Sequence, residues 1–310
     1  MRRCSLLTLA LALGLAPLAA DETAQCLTCH DNANMALRDA GGKVRSLFVD
    51  PPKFYGSVHA RKGCLACHGN LGLGPHGDAL GKLPPLDARY APLLRHLPRA
   101  RQVALANCFG CHPTQLDTYQ GSVHAQQVAK GSLDAPLCDD CHGAHAITGK
   151  EDPESPINPD KVPATCASCH AQRQVMARYD VSTNVVQTFE SHFHARKRMI
   201  GDTRAAVCTS CHGTHRILGP KDPKSTVNPA NVQATCAQDG CHPGKGAAFA
   251  ASFKHQVPST AVEPIVYLVK HVHEFMMVLV LGTMFLHIFL DVLRRKLNEA
   301  RAAQAAKGGH

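Results

Sequence analysis

Two apolar runs stand at opposite ends of a chain whose long middle is polar and interrupted by proline and glycine. The first, Ser5 to Leu18, follows Arg2 and Arg3 and gives way to Ala19 and Ala20 before Asp21, the order of a secretory signal. Residues 1–20 are therefore expected to be removed on export. The second run, Val272 to Leu293, supplies twenty-two mostly apolar residues, enough for a helix that crosses a bilayer. Arg294, Arg295 and Lys296 follow it, so the positive-inside rule assigns a transmembrane anchor to 264–293 and a basic cytoplasmic tail to 294–310. The exported part then faces the periplasm from the inner membrane. Between the two runs no stretch alternates with period two for long enough to predict a sheet, and the middle reads as short helices joined by long loops.

That middle is repetitive, and the repeats carry its chemistry. Six Cys-x-x-Cys-His runs occur at Cys26/Cys29/His30, Cys64/Cys67/His68, Cys108/Cys111/His112, Cys138/Cys141/His142, Cys166/Cys169/His170 and Cys208/Cys211/His212. A seventh, Cys236/Cys241/His242, has four residues between its cysteines. This run is a c-type haem attachment site: two thiols form thioethers with the porphyrin vinyl groups, and the adjacent histidine ligates the iron. One Cys-x-x-Cys pair alone would equally suit half a zinc site or a redox dithiol. Seven copies, each followed at once by histidine, do not. They use fourteen of the fifteen cysteines, and the fifteenth, Cys4, lies in the expected signal. Because c-type haem is attached after export, the chain should cross the membrane unfolded by ordinary secretion despite its arginine pair.

Two stretches repeat closely. Gly121-Ser-Val-His124-Ala, Cys138 to His145, Ser155 to Pro159 and Ala164-Thr-Cys166 match Ser191-His-Phe-His194-Ala, Cys208 to His215, Ser225 to Pro229 and Ala234-Thr-Cys236. In both, the first cysteines of the two sites are twenty-eight residues apart. A divergent copy begins at Tyr55-Gly-Ser-Val-His59-Ala and spaces Cys64 and Cys108 by forty-four residues, through a loop with Gly72, Gly74, Pro75, Pro84 and Pro85. Arg89, Arg95, Arg99 and Arg101 lie in that loop, which reads either as flexible or as a surface for a partner or for propionates. The expected organisation is an N-terminal segment at 21–52, three two-site modules at 53–118, 119–188 and 189–260, and then the anchor. The fold class is mainly α with extensive irregular loops, wrapped around seven haems. The 310 residues contain no tryptophan, ten phenylalanines and five tyrosines, so each porphyrin would stand in for a core.

Each iron needs a sixth ligand or an open position. Removing the seven proximal histidines from twenty leaves thirteen. The repeat register selects His59, His124 and His194 at one position and His145 and His215 at another, with His76 displaced by the long loop and His96 as its competitor. His255 follows the seventh site much as His124 follows the third, while His192 reads as a surface residue. Seven candidates face seven irons, and only Met35, Met176 and Met199 lie in the exported region as alternatives. Bis-histidine, low-potential centres are expected throughout, since methionine ligation would raise the potential. His124 lies twelve residues after His112 and His255 thirteen after His242, spacings for a short helix across one porphyrin edge. By that analogy His59 caps the first site, His124 the third, His194 the fifth and His255 the seventh. His76, His145 and His215 then serve the second, fourth and sixth in an order that spacing leaves open, and His145 and His215, three residues from a proximal histidine, are expected to reach a neighbouring haem.

In the anchor, His273 and His287 are fourteen residues apart, close to four helical turns, and share a face. They read as an interfacial residue and a packing residue, or as part of a shared b-type haem or quinone site with a partner helix. The formal charge of +9 would suit an acidic partner. Fourteen propionates and seven ferric cores, after loss of the signal, bring the oxidised holoprotein to roughly zero, so no nucleic-acid partner is expected.

With Gly-Ser-Val-His-Ala, Cys-His-Gly-x-His and Asn-Pro before Ala-Thr-Cys all present, residues 26 to 255 resemble periplasmic multihaem cytochromes c of the cytochrome c3-like, doubled Cys-x-x-Cys-His type. The anchor adds a looser similarity to members that work beside an integral cytochrome b-type or other quinone-reactive subunit. The resemblance implies electron transfer between a quinone-linked membrane partner and periplasmic or outer-membrane carriers, with no catalytic residues of its own. The alternative is a reductase or oxidoreductase of small nitrogen or sulfur compounds, which needs an iron with an open position.

Overall fold

In a computed structural model the described residues are 22–38, 44–69, 71, 76 and 86–307. The expected signal with Cys4, and Gly72, Gly74, Pro75, Pro84 and Pro85 of the long loop, lie outside them. The protein is mainly helical, as the sequence led us to expect, and most helices are short. In order they are α1 (Glu22–His30), α2 (Pro51–Tyr55), α3 (Leu65–His68), α4 (Ala91–Leu94), α5 (Arg99–Cys111), α6 (Pro113–Gln120), α7 (Val123–Ala129) and α8 (Cys138–His142). Then come α9 (Val162–His170), α10 (Arg173–Met176), α11 (Asn184–Glu190), α12 (Phe193–Met199), α13 (Cys208–His212), α14 (Val232–Cys236), α15 (Ala247–Ala250) and α16 (Pro264–Lys307). A small antiparallel hairpin, β1 (Ala36–Arg38) with β2 (Val44–Ser46), pairs Leu37 with Arg45. It was not expected, since three-residue strands are too short to show alternation.

The chain divides into two compact units after Phe253. The first contains the Cys-x-x-Cys-His repeats. Its apolar centre is built from Tyr90, Leu93, Leu94 and Leu97, which pack with Leu105, Phe109, Leu116, Val128 and Leu137. Phe109 sits between Cys108 and Cys111, and Leu137 immediately precedes Cys138. The core thus lies directly beneath the third and fourth sites and fixes where their cysteines emerge. Three of its residues, Leu105, Phe109 and Leu116, lie on the α5–α6 pair.

The repeated polar residues tie each module together. Ser155 and Ser225 donate to the carbonyls of Thr148 and Leu218. Asn158 and Asn228 reach back to Lys150 and Pro220, and Thr165 and Thr235 to Pro156 and Thr226. These residues of the Asn-Pro and Ala-Thr-Cys motifs are therefore structural anchors for the turn that delivers the next cysteine. Modules are also joined to one another. The amide of Val58 donates to Ile147 at 2.8 Å, and the amide of Val123, its equivalent, donates to Ile217 at 2.9 Å. Arg101 pairs with Asp139 and Asp140, and Arg198 pairs with Asp160. Of the arginines in the lengthened loop, Arg101 is thus part of α5 and an inter-module tie, while Arg89 pairs locally with Asp87.

The second unit is dominated by α16, which has a mean hydropathy of 2.2 over its most apolar window and is long and apolar enough to cross a membrane. At 44 residues it would extend roughly 66 Å, about twice the hydrocarbon thickness. Lys270 pairs with Glu274, and Arg295 with Asp291, each one turn away. Phe275 to Leu290 between them carries no acidic or basic side chain except His287.

Leu94 is fully buried at the centre of the core. Leu94→Ala is expected to lower unfolding stability by about 2–5 kcal/mol, read as an earlier midpoint in denaturant titration.

Candidate metal centres

Every site places its cysteines on or beside one helical turn, which sets residues three apart on one face and the histidine next along. Backbone bonds close the turn: the amides of His68 and His112 donate to Cys64 and Cys108 at 2.9 and 2.8 Å. The seventh site, with its longer interval, reaches the same closure. There α14 ends at Cys236, Gly240 turns at φ +78°, and the amide of His242 donates to Cys236 at 3.0 Å. The four intervening residues bulge out, and cysteine, cysteine and histidine return to one place.

Pairs of histidines from distant parts of the chain, each including one motif histidine, face each other across a nearly constant gap. The pairs are His30 with His76 at 6.1 Å between ring centroids, His59 with His112 at 6.0 Å, and His68 with His145 at 6.1 Å. His124 lies 6.3 Å from His170, His142 6.1 Å from His215, and His194 6.0 Å from His242. Two imidazoles hydrogen-bonded to each other would be closer, with nitrogens about 2.7–3.2 Å apart. Two imidazoles ligating one first-row metal from opposite sides, with bonds of about 2.0–2.1 Å, stand at about 6 Å. The spacing therefore fits a metal ion between each pair, and these two rings are the residues that would hold it.

Other details of the rings suit ligation. His30 Nδ1 lies 2.8 Å from the carbonyl of Leu47, just beyond β2, and His76 Nδ1 2.9 Å from that of Leu71. A carbonyl accepts only from the protonated nitrogen, so in both rings Nδ1 carries the proton and Nε2 is left with its lone pair. Burial holds His124 well below the ordinary imidazole range, to about 4, with His170 adding to the effect. His68, His142, His145, His170, His194 and His255 are also lowered, in each case chiefly by burial. Neutral imidazole is the form that ligates a metal.

The pairing corrects the order expected from sequence spacing. His59 faces the third site, not the first; His124 the fifth, not the third; His194 the seventh, not the fifth. His194 thereby occupies the position expected for His255. His145 and His215 face the second and fourth sites, within the set expected for them, whereas His76 faces the first, outside it. The physical reason for His124 is local. The chain turns between α6 and α7 at Gly121, and the Ser122 hydroxyl caps the new helix by accepting from Ala125, so no single helix carries His124 back over His112. His145 and His215 are redirected by the glycine after each proximal histidine. Gly143 and Gly213 adopt φ +79° with ψ 171° and φ +76° with ψ 179°, a conformation essentially reserved for glycine.

His76, not His96, stands opposite His30. His96 instead accepts from Arg95 Nε at 3.0 Å and packs near Gly131. Among the methionines, Met199 is exposed and Met176 is buried. His192 is displaced from the surface role expected of it: its Nδ1 accepts from the amide of His194, taking the capping place that Ser122 holds in the preceding module.

The sites themselves lie in sequence order. The Cys26 and Cys64 thiols interact, joining the first two sites. Cys67 interacts with Cys111 and Cys108, and Cys108 with Cys138. Cys141 lies near Cys169, Cys166 donates to Cys208, and Cys211 lies near Cys236 and Cys241. Burial together with these neighbours pushes Cys64, Cys108, Cys141 and Cys211 up to about 11 and Cys138 to about 12. Thiols of each site thus lie near those of the next, with a hydrogen bond between them at the first-to-second and fifth-to-sixth steps.

Cys29 lies at the outer edge of the first site. It is exposed, as are Cys111 and Cys241, but those two still lie near a thiol of another site, Cys67 and Cys211. At Cys29 the contact is local: the Thr28 hydroxyl donates to its Sγ at 4.0 Å, and the link to the second site runs through Cys26 instead. The reason is helical period. Helix α1 buries the stripe of Thr23 and Leu27, and a residue two positions past Leu27 falls on the opposite side, toward solvent. The Cys29 edge of the first site is therefore open, and the site is enclosed from its other side by His76 and the Leu47 carbonyl. In α16, His273 and His287 are both exposed and lie close to four helical turns apart on one face.

Loss of either ring of a pair should disable the same site. His59→Ala and His112→Ala are therefore expected to be non-additive in their effect on the thermal midpoint of the exported protein, and His59→Ala and His30→Ala additive. The converse result would restore the order expected from spacing.

No family model, no curated protein and no solved structure matches this chain, so its reading rests on the geometry of these sites.

Proposed function

We propose that the chain is a membrane-anchored heptahaem cytochrome c that conducts electrons between a quinone-linked membrane partner and carriers in the periplasm or outer membrane. The observation that carries the proposal is the set of six histidine pairs, each joining one motif histidine to a partner at 6.0–6.3 Å. Bound haem would supply a reversible one-electron iron couple at each site.

The protein's own residues then do three things. Cys26/Cys29 and their six counterparts hold the macrocycles covalently, so a cofactor is not lost during repeated turnover. The six imidazole pairs would hold iron through two histidines each, which would favour low-spin iron and leave no room for a substrate at those sites. The contacts between consecutive thiol pairs keep neighbouring macrocycles close along a single file. An electron entering at one end would pass the sites in the order in which the chain makes them.

The anchor supports the membrane side of the reading. An apolar helix long enough to span and uncovered along its apolar stretch suits lipid and a helical partner of the cytochrome b type, with His273 and His287 on one face toward a shared b-type haem or quinone. The positive charges after residue 293 favour the periplasm for the sites.

Protein purified from membranes should show seven c-type haems per chain by haemochrome spectrum and mass, no carbon monoxide binding at the six sites with paired histidines, and reduction by a quinol analogue. His145→Ala is expected to create one iron that binds carbon monoxide with a high-spin paramagnetic resonance signal. A native high-spin iron that binds nitrite or carbon monoxide would instead favour the reductase reading. Haems that stay oxidised with quinol in every intact assembly would remove the quinone link.

A further inference from the structure

The fourth site differs from the others in charge. Its two residues between the cysteines are Asp139 and Asp140; the seventh site carries Asp239 alone, and the other five have no carboxylate there. Both carboxylates meet one guanidinium from another module. Arg101, on α5, donates through Nε and Nη2 to Asp139 at 3.2 and 3.0 Å, and through Nη2 to Asp140 at 2.9 Å. The Arg101 and Asp139 side chains are two-thirds or more covered, at 33% and 28% exposure, so solvent screens this bridge less than a surface pair. Asp140 also accepts from the amide of Leu137 at 2.8 Å, which holds the turn in place.

The carboxylates are close enough to the attachment atoms to be felt there. The Cys138 thiol is raised chiefly by burial, then by Cys108 and Asp139, and the Cys141 thiol by burial, then by Asp140, Cys169 and Asp139. At the same helical turn His142 stacks toward His215 with an interplanar angle of 9°. Whatever occupies that gap sits in the field of two anions and the cation that offsets them.

We propose that Arg101 sets the reduction potential of the fourth haem by compensating Asp139 and Asp140. The proposal rests on the heptahaem reading. Oxidation adds one positive charge at the iron, so nearby anions stabilise the ferric state and lower the potential, while a nearby cation raises it. Arg101 therefore keeps the fourth site from falling below its neighbours. The fourth of seven sites in single file is the middle one, and a deep step there would hold back electrons travelling in either direction. Arg101 acts as a positioning and charge-compensating residue, since it reaches the centre through the two aspartates.

The test is a spectropotentiometric titration of the full-length, haem-loaded protein, fitted as seven one-electron components. Arg101→Gln should lower one component by about 59 mV, a tenfold rise in its ferric-to-ferrous ratio at fixed potential, and leave the rest in place. Asp139→Asn should move the same component upward, and the Arg101→Gln/Asp139→Asn double variant, with the local charge restored, should return it. Arg101→Lys should hold it near the native value. Unmoved potentials in Asp139→Asn, or in Arg101→Gln with only the thermal midpoint lowered, would reduce Arg101 to a structural tie and overturn the proposal. Should Arg101→Gln not accumulate, Asp139→Asn and Arg101→Lys still decide the matter. Protein carrying no haem would instead overturn the heptahaem reading, a failure that the haemochrome spectrum separates from this one.

Discussion

Two imidazoles held about 6 Å apart, six times over, are the constraint on which the rest of this structure depends. Such a gap is costly to maintain without something in it, because it forgoes both a direct hydrogen bond and close packing. The surrounding chain spends much of its polar chemistry on keeping the rings in place. Ser122 caps the helix that carries His124, Leu47 and Leu71 accept from His30 and His76, and Gly143 and Gly213 turn the backbone between the two histidines of their motif.

The pairing also binds the modules together. The first histidine of each module faces that module's own second site: His59 with His112, His124 with His170, His194 with His242. The histidine after Cys-His-Gly faces backward instead, His145 to the second site and His215 to the fourth. Neither the second nor the fourth site is complete without the following module. Amide bonds from Val58 to Ile147 and from Val123 to Ile217 lie beside the crossing histidines and repeat at the same register. Interlocking of this kind gives a modest apolar core a rigid frame that keeps the separations between neighbouring sites.

Deviations from the repeat are concentrated where the frame needs a local solution. The seventh site absorbs two extra residues in a glycine turn and recovers the same backbone closure. The module with the longest internal loop grows the apolar centre around Leu94 and Phe109, and sends Arg101 across to a site with two aspartates. The unexpected hairpin lies just before Leu47, whose carbonyl orients His30 in a site whose Cys29 edge is open. In each case the irregular element serves a histidine or a cysteine nearby.

Much of this was legible in the sequence. The seven cysteine–cysteine–histidine motifs, the two-site period, the helical class, the six facing histidines by identity, the choice of His76 and the long apolar helix follow from residue type and register, because helical period acts over a few residues. Which histidine faces which site was not legible. Spacing suggested that His124 would return to His112, but Gly121 and Ser122 turn the chain and bring it to His170, fifty-eight residues from His112 and beyond any local rule. The exposure of Cys29, the order of the sites and the Arg101 clasp likewise depend on how segments far apart in sequence pack. Residue type alone determined what chemistry this chain carries; only the tertiary structure decided how that chemistry is paired, because a ligand pair is closed by distance in space and not by distance along the chain.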